Sequence, residues 1–346
     1  MARKLRVQYP GAVYHLMSRG NQGHAIFRDD QDRVLWLETL RDTCAKTGWR
    51  IHAYVLMGNH YHLLAQTPEP NLVAGMKWLQ GTYTRRFNLR HRTFGHVLQG
   101  RYKAVVVDAT EPQYFGVVST YIHLNPVRAG LIQPGEQRLT CYLWSSFPAH
   151  VGTAPAPEWL RSDRVLGALG FGAEDQASRR GYEAYLESRA LECADPRGRR
   201  AWEQEWRKLR RGWYLGGDGF RARLLEAVSR SLERPRADSV SGEGVQAHGE
   251  AAAEQWLTWG VKALGWQDKD WAGTRKRSAR KQLLAWWLRS RTAVSCRWIS
   301  DRLAMGHESN VSHASRTMAE SHDPQIRRWR DVLTALQASG AEANDS

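Results

Sequence analysis

AYVLMGNHYHLLAQTP, residues 53–68, sets an apolar run on either side of Gly58-Asn59 and places His60 and His62 one residue apart in the second run. Two such runs around a Gly-Asn pair read as strands joined by a tight hairpin. Strand side chains alternate between faces, so His60 and His62 share one face and Tyr61 takes the other. Two imidazoles on one face are able to grip a single divalent cation. The plainer alternative is a pair of half-buried histidines on a solvated sheet face.

Working outward, GAVYHLMSR (11–19) reads as a strand, and DDQDRVLWLETLRDTCAKTG (29–48) as a helix with acidic residues at its start and a Gly at its end. NLVAGMKWLQGTYTRRFNLRH (71–91) reads as a second helix, capped by Asn71 and basic at its C-terminal end, and RYKAVVVDA (101–109) as a fourth strand. The order β-α-β-β-α-β describes an α+β, ferredoxin-like unit: an antiparallel sheet covered on one face by two helices. A further helix, EPQYFGVVSTYIHLN (111–125), follows.

Past residue 150 the character changes. The expected division is a catalytic domain over 1–153, a charged helical accessory region over 154–233, and a linker over 234–252 that is poor in large apolar residues. A helix-turn-helix domain over 253–325 and a helix end with a disordered tail over 326–346 complete it. In the helix-turn-helix, WISDRLAMGHESNVSHASR turns at Gly306.

The 346 residues carry a formal net charge of +15, with basic residues in several segments, which points to a polyanionic partner, foremost nucleic acid. No long apolar span suggests a membrane. The N-terminus has no secretory pattern, so a cytoplasmic, nucleoid-associated protein is expected. Four scattered cysteines without Cys-x-x-Cys spacing support neither a disulfide framework nor a zinc ribbon, and are expected reduced and mostly buried. Most of the sixteen tryptophans read as core anchors.

A second constellation lies in VVSTYIHLNPVRAGL (117–131), where Tyr121 and Asn125 share a helix face at i and i+4. An Asn carbonyl oxygen is a third ligand suited to Mg²⁺ or Mn²⁺, which accept oxygen and, for Mn²⁺, imidazole. A cation held by His60, His62 and Asn125 would polarise a phosphodiester for attack by Tyr121. The plainer reading of Tyr121 is a core tyrosine. Pro126 disfavours the α region at Asn125, so the helix is expected to end or distort there.

GNHYHLL resembles the His-hydrophobic-His motif of the HUH endonucleases. TYIHLNPVRAGL, with MSRGNQ, AYVLMGNH and GRYKA, resembles the REP-associated tyrosine transposases, relatives of the single-tyrosine insertion-sequence transposases. The likeness runs from residue 10 to about 150. It implies a catalytic domain that cuts single-stranded DNA at palindromic, REP-like hairpins and rejoins it through a 5′-phosphotyrosine. It also implies His60 and His62 as metal ligands, Tyr121 as nucleophile and Asn125 at the third ligand position, where many relatives have Gln or an acidic residue. Gly58 stands where relatives often have Pro. Those relatives include dimers that exchange the tyrosine helix, so both monomer and homodimer are open.

Arg19, Asn21, Arg101, Lys103 and Arg128 lie in or beside these motifs and are candidate DNA contacts, as are Arg85 and Arg86 on a helix expected to face DNA. The helix-turn-helix resembles the C-terminal domain of the replication initiator DnaA. It offers Asn310 and Arg316 to base edges and Arg275, Lys276, Arg277, Arg280 and Lys281 to phosphates. His15, His52 and His123 read as structural. The competing functions are a sequence-specific DNA-binding regulator with a residual or lost nuclease and, less favoured, a hydrolase of a small phosphoester.

Overall fold

A computed structural model describes residues 3–4, 6–172, 175–232, 240–241, 243–267, 271, 273–292 and 294–342. The chain divides into two compact units, Arg6–Ala227, and Met1–Leu5 with Val228–Ser346. The first strand, β1 (Arg3–Lys4), belongs to the latter.

Arg6–Ala227 begins with β2 (Ala12–Arg19), α1 (Asp30–Thr47), β3 (Arg50–Leu56), β4 (His60–Thr67), α2 (Leu72–His91) and β5 (Lys103–Val107). Its sheet runs β3-β4-β2-β5, all antiparallel, which is the ferredoxin-like order expected. α1 starts on Asp29, whose side chain accepts from the Asp32 amide, and stops at Gly48 in the left-handed region. Asn71 precedes α2 but does not cap it with its side chain. Its amide instead accepts from Trp49 Nε1 at 2.7 Å and donates to Thr47 O at 2.9 Å, tying the end of α1 to the start of α2.

The two sheet faces have different cover. Tyr61 meets Trp36 of α1, ring centroids 4.8 Å apart, and its hydroxyl accepts from Gln80 of α2 at 2.9 Å, so α1 and α2 lie on the Tyr61 face. The opposite face, with Val13, Val55, Leu64 and Val105, is covered too, by Phe115, Val118 and Ile122 of α3 (Pro112–His123). Cover on one face only was the expectation. The additional cover comes from α3, the helix that follows the fourth strand of the βαββαβ unit.

After α3, the four-residue α4 (Asn125–Arg128) and α5 (Phe147–His150) lead to α6 (Asp163–Ala168), α7 (Gln176–Ala194) and α8 (Pro196–Arg211). Val165, Leu166, Tyr182, Leu186, Trp206 and Leu209 from α6, α7 and α8 join the same core. β6 (Tyr214–Leu215) then pairs in parallel with β5 as a fifth strand. The region expected as a separate accessory, 154–233, is therefore for the most part within the same compact unit as 1–153. α9 (Asp218–Leu232) follows.

In the other unit β7 (Val240–Ser241) pairs in parallel with β1, and α10 (Glu243–Ala263), α11 (Ala279–Arg291), α12 (Cys296–Arg302), α13 (Glu308–Glu320) and α14 (Pro324–Glu342) follow. The expected linker 234–252 thus overlaps β7 and the first turns of α10, because its alanines and glutamates favour helix despite the missing large apolar residues. Its residues 234–239 and 242 lie outside the described residues. The tail expected as disorder from 338 is helical to Glu342, and 343–346 lie outside the described residues. Between α12 and α13 the backbone turns at Ala304 (φ 49°) and Gly306 (φ 86°), and Leu284, Leu288, Ile299, Leu303, Val311 and Ala314 form the core beneath.

All four cysteines are free. Cys44 and Cys193 are buried, Cys296 is half-buried and Cys141 is exposed. Trp36, Trp206 and Trp287 are among the largest fully buried side chains. Among the described residues no helix is long and apolar enough to cross a membrane.

Two glycines of α2 test this packing. A Cβ on Gly75 would overlap the Trp49 indole, whereas one on Gly81 meets nothing within 4 Å. Gly75→Ala is expected to cost about 1–3 kcal/mol through overpacking. Gly81→Ala is expected to stabilise by roughly 0.5–1 kcal/mol through helix propensity. Thermal melts of the two variants should move in opposite directions; parallel shifts would contradict the α2–Trp49 contact.

Candidate active site

On the sheet face opposite Tyr61, a pocket of about 590 Å³ is lined by residues from four parts of the chain. β4 supplies His60 and His62, β2 supplies Met17, Ser18 and Arg19, the approach to β5 supplies Gln99, Arg101 and Lys103, and α3 with α4 supplies Tyr121, Asn125 and Arg128. Strand register explains the grouping. Arg19 pairs with His60, and Met17 pairs with His62 on one side and Lys103 on the other, so these side chains lie in rows across one face.

The hairpin at the rim is held by its neighbours. Met57 N donates to His60 O at 2.8 Å across Gly58-Asn59, and Gly58 O accepts from Ile26 N and Phe27 N. Neither turn residue has positive φ, and a Cβ on Gly58 would meet nothing within 4 Å. A side chain is sterically admissible there. Gly20 is different: its amide donates to Asn59 O at 2.8 Å, and a Cβ would overlap the His24 carbonyl oxygen. That contact is the physical reason for glycine in MSRGNQ.

Asn59 also sets the state of His60. Its Nδ2 donates to Gly23 O at 3.1 Å, which leaves Oδ1 to accept from His60 Nδ1–H at 2.8 Å. The proton on Nδ1 leaves His60 Nε2 as a lone-pair donor. His62 Nδ1 lies 2.9 Å from His15 Nε2, and the His60 and His62 ring centroids are 5.2 Å apart. Burial, with Arg19 and Arg128 nearby, lowers the His60 pKa to about 4. Burial, followed by the His15, His60 and Arg128 charges, holds His62 well below the ordinary value. Both rings are neutral at physiological pH, the state a metal ligand requires.

Tyr121 is 2% exposed. Its ring meets His62 and His15, each at 5.4 Å between centroids, and Trp206 of α8 at 5.2 Å. The Arg128 guanidinium carbon lies 5.0 Å from the Tyr121 centroid and 5.1 Å from that of Trp206. Asn125 is the first residue of α4, after the break at Leu124 (φ −87°, ψ 0°). Pro126 has no N–H to offer Ile122 O, and Asn125 Nδ2 donates to Tyr121 O at 2.8 Å with Ile122 O 3.5 Å away. Asn125 Oδ1 is thereby turned to Arg128 Nη1, 3.3 Å away.

The structure therefore brings His60, His62, Tyr121, Asn125, Arg19, Arg101, Lys103 and Arg128 to one pocket. Asn21 lies beside it, its amide bonded to Val97 O. Arg85 and Arg86 do not belong to it, since α2 lies on the other sheet face. Arg85 borders a groove with Lys77 and Trp78, and Arg86 is spent on Thr39 Oγ1 (2.8 Å) and Asp42 (3.1 Å) of α1. In the C-terminal unit, Asn310 donates to Met305 O and accepts from Arg277 Nε, so its amide braces α13 where a base contact was expected. Lys281, expected on phosphate, is buried and donates to Thr274 O and Ala304 O. Arg316 is exposed. His52 and His123 are buried structural residues, His123 lying between Tyr182 OH and Ser146 Oγ at 2.7 Å each. Sequence reasoning did not reach Trp206, Gln99 or the His15–His62 contact, none of which has a local signal.

Among the described residues no group of three His, Cys, Asp or Glu stands ready for a metal ion. The available donors are two imidazoles and the Asn125 amide oxygen. They fit a divalent cation that keeps open positions for water and phosphate, and the imidazoles favour Mn²⁺ over Mg²⁺.

Residues 8–125 match the family described as Transposase IS200 like. No curated protein matches the sequence. Among solved structures, one described as the REP-associated tyrosine transposase bound to a REP hairpin is similar at 16% identity. The match covers 47% of this chain and 93% of that one, with a TM-score of 0.38.

The buried histidines give the site a pH signature. His60 and His52 are lowered to about 4 and His15 to about 3, in each case chiefly by burial. The unfolded chain takes up these protons near pH 6.5 and the folded chain does not. Stability is therefore complete above about 6.5 and is lost as pH falls towards 4. Thermal melts of the full chain between pH 7.5 and 4.5 should show Tm falling across this window, and His60→Gln should make the fall shallower.

Proposed function

We propose, for a chain whose residues 8–125 belong to the IS200-like transposase family, that this pocket cleaves and rejoins single-stranded DNA through a covalent bond between Tyr121 and a 5′ phosphate. The family match over residues 8–125 supports a transposase, and the reading of its chemistry rests on one observation. His60, His62, Asn125 and Tyr121 line the same pocket with Arg19, Arg101, Lys103 and Arg128.

Four cations gathered in one pocket favour a phosphodiester over a neutral or cationic substrate. Arg19, Arg101 and Lys103 hold the scissile phosphate against the sheet face. A free phenol has a pKa of about 10 and is a weak nucleophile at neutral pH. Arg128, held over the Tyr121 ring, stabilises negative charge as the phenolic proton leaves. Tyr121 Oη attacks phosphorus, the Tyr–O–P bond forms, the P–O3′ bond breaks, and the 3′ oxygen takes up a proton. One phosphoester replaces another, so a 3′-hydroxyl re-forms the strand by the reverse step without ATP.

His60 Nε2, His62 Nε2 and Asn125 Oδ1 would hold the divalent cation, Mn²⁺ or Mg²⁺, which supplies Lewis-acid polarisation of the phosphate when bound. Asn125 links ligand and nucleophile, because its amide also bonds the Tyr121 carbonyl. The motif resemblance extends the substrate to palindromic, REP-like hairpins. It also assigns the C-terminal helices to DNA, with Arg316 the exposed candidate on α13.

Tyr121→Phe removes one hydroxyl and should keep hairpin binding while abolishing the covalent adduct. The measurement is a denaturing gel of full-length protein with Mn²⁺ and hairpin oligonucleotides from its own genomic flanks, followed by mass spectrometry of the adduct peptide. A nucleotide mass on a peptide lacking Tyr121 would require another active site, and binding without any adduct would favour the regulator reading.

His60→Ala and His62→Ala should each bring cleavage to background, as should EDTA, with binding largely retained. That binding should weaken steeply with salt, because phosphate contacts supply most of the affinity. Undiminished cleavage by the double variant would remove the cation from the mechanism.

A further inference from the structure

His15 is fully buried on the central strand β2, and its Nε2 lies 2.9 Å from His62 Nδ1. The two rings stack, with centroids 5.1 Å apart and planes 25° from parallel. His15 also meets the Tyr121 ring edge-on at 5.4 Å. Its other nitrogen, Nδ1, is buried with no hydrogen-bond partner among the described residues. An orphaned polar atom of this kind beside a catalytic pocket calls for a physical reason.

Two buried imidazoles without a carboxylate partner are both neutral, so a single proton lies between Nε2 of His15 and Nδ1 of His62. If His15 carries it, His62 holds its own proton on Nε2 and has no lone pair for a cation. If His62 carries it, His62 Nε2 is a bare donor, and His15 holds its own proton on the partnerless Nδ1. Only the second arrangement makes His62 a ligand.

We infer that His15 is a positioning residue: its Nε2 accepts the Nδ1–H of His62 and so fixes the tautomer and ring orientation in which His62 Nε2 binds the cation. This rests on the cation reading above. Asn59 does the same for His60 by a different group, an amide oxygen at 2.8 Å. The orphaned Nδ1–H of His15 is the cost of the arrangement, and the bound cation offsets it. Without the cation the opposite arrangement gains, because a buried unpaired acceptor costs less than a buried unpaired N–H. Outer-shell partners of metal-bound histidines typically change affinity by about 10–100-fold.

The test uses Mn²⁺ alone, titrated into the full chain without DNA and followed by electron paramagnetic resonance of the free ion. His15→Phe keeps an aromatic ring but offers no acceptor, and should weaken Mn²⁺ binding by about 10–100-fold. His15→Gln offers an amide oxygen and should recover part of the loss. Unchanged affinity in His15→Phe, with a Tm near that of the parent, would overturn the inference. Unchanged affinity in His62→Ala would instead overturn the cation reading itself. A measurement that needs no His15 variant is the long-range ¹H–¹⁵N correlation of the histidine rings in the Mg²⁺-saturated chain, with the His62 signals assigned by their loss in His62→Gln. His62 protonated on Nδ1 supports the inference, and His62 protonated on Nε2 overturns it.

Discussion

The register of β2 against β4 is the constraint on which the site depends. It sets Arg19 opposite His60, Met17 opposite His62 and Tyr61 opposite Ser18. A slip of one residue would send both histidines to the α1–α2 face and bring Tyr61 into the pocket, since side chains alternate with a period of two. The slip is opposed from both sides. Tyr61 fills a slot between Trp36 and Gln80, while Leu64 and Val13 sit in the opposing core. The same packing that buries apolar surface thus fixes which way the imidazoles face.

Burial has a second effect on the pocket. It keeps the histidines neutral and makes each of their ring protons dependent on a specific acceptor: Asn59 for His60, His15 for His62. In water either nitrogen would serve equally. Inside the unit the acceptors choose, and the geometry of the donors is decided by residues that never touch a substrate.

The βαββαβ order, the hairpin, the shared face of His60 and His62 and the break at Asn125 were all legible, because each depends on residues within a few positions of one another. Alternation, Gly-Asn and Asn-Pro are local signals. The structure adds most where the deciding partner is distant in sequence. Arg86 looks like a DNA contact until Asp42 is seen 3.1 Å away. Lys281 sits in a basic run, yet the carbonyl of Ala304 takes its ammonium. Asn310 has the right residue type and helix position for base readout, but Met305 and Arg277 occupy its amide. A sequence shows the charge of a side chain and conceals whether that charge is already answered. The second half of the expected linker departs for another reason: its small residues lack an apolar period, and α10 begins at Glu243 all the same.

Trp206 and β6 change what counts as the working unit. The family match stops at residue 125, yet the indole against Tyr121 comes from α8, and the fifth strand against β5 comes from residues 214–215. Seen as heredity, the segment shared with relatives is shorter than the piece of chain that could be transplanted. A chimera made by grafting only the shared segment onto another scaffold would carry His60, His62, Tyr121 and Asn125 but lose Arg128. It would also open the tyrosine to bulk water and leave β5 with a bare edge able to recruit a foreign strand. Evolution could exchange what lies beyond Ala227 more freely than α8 and β6, which pack against Tyr121 and β5.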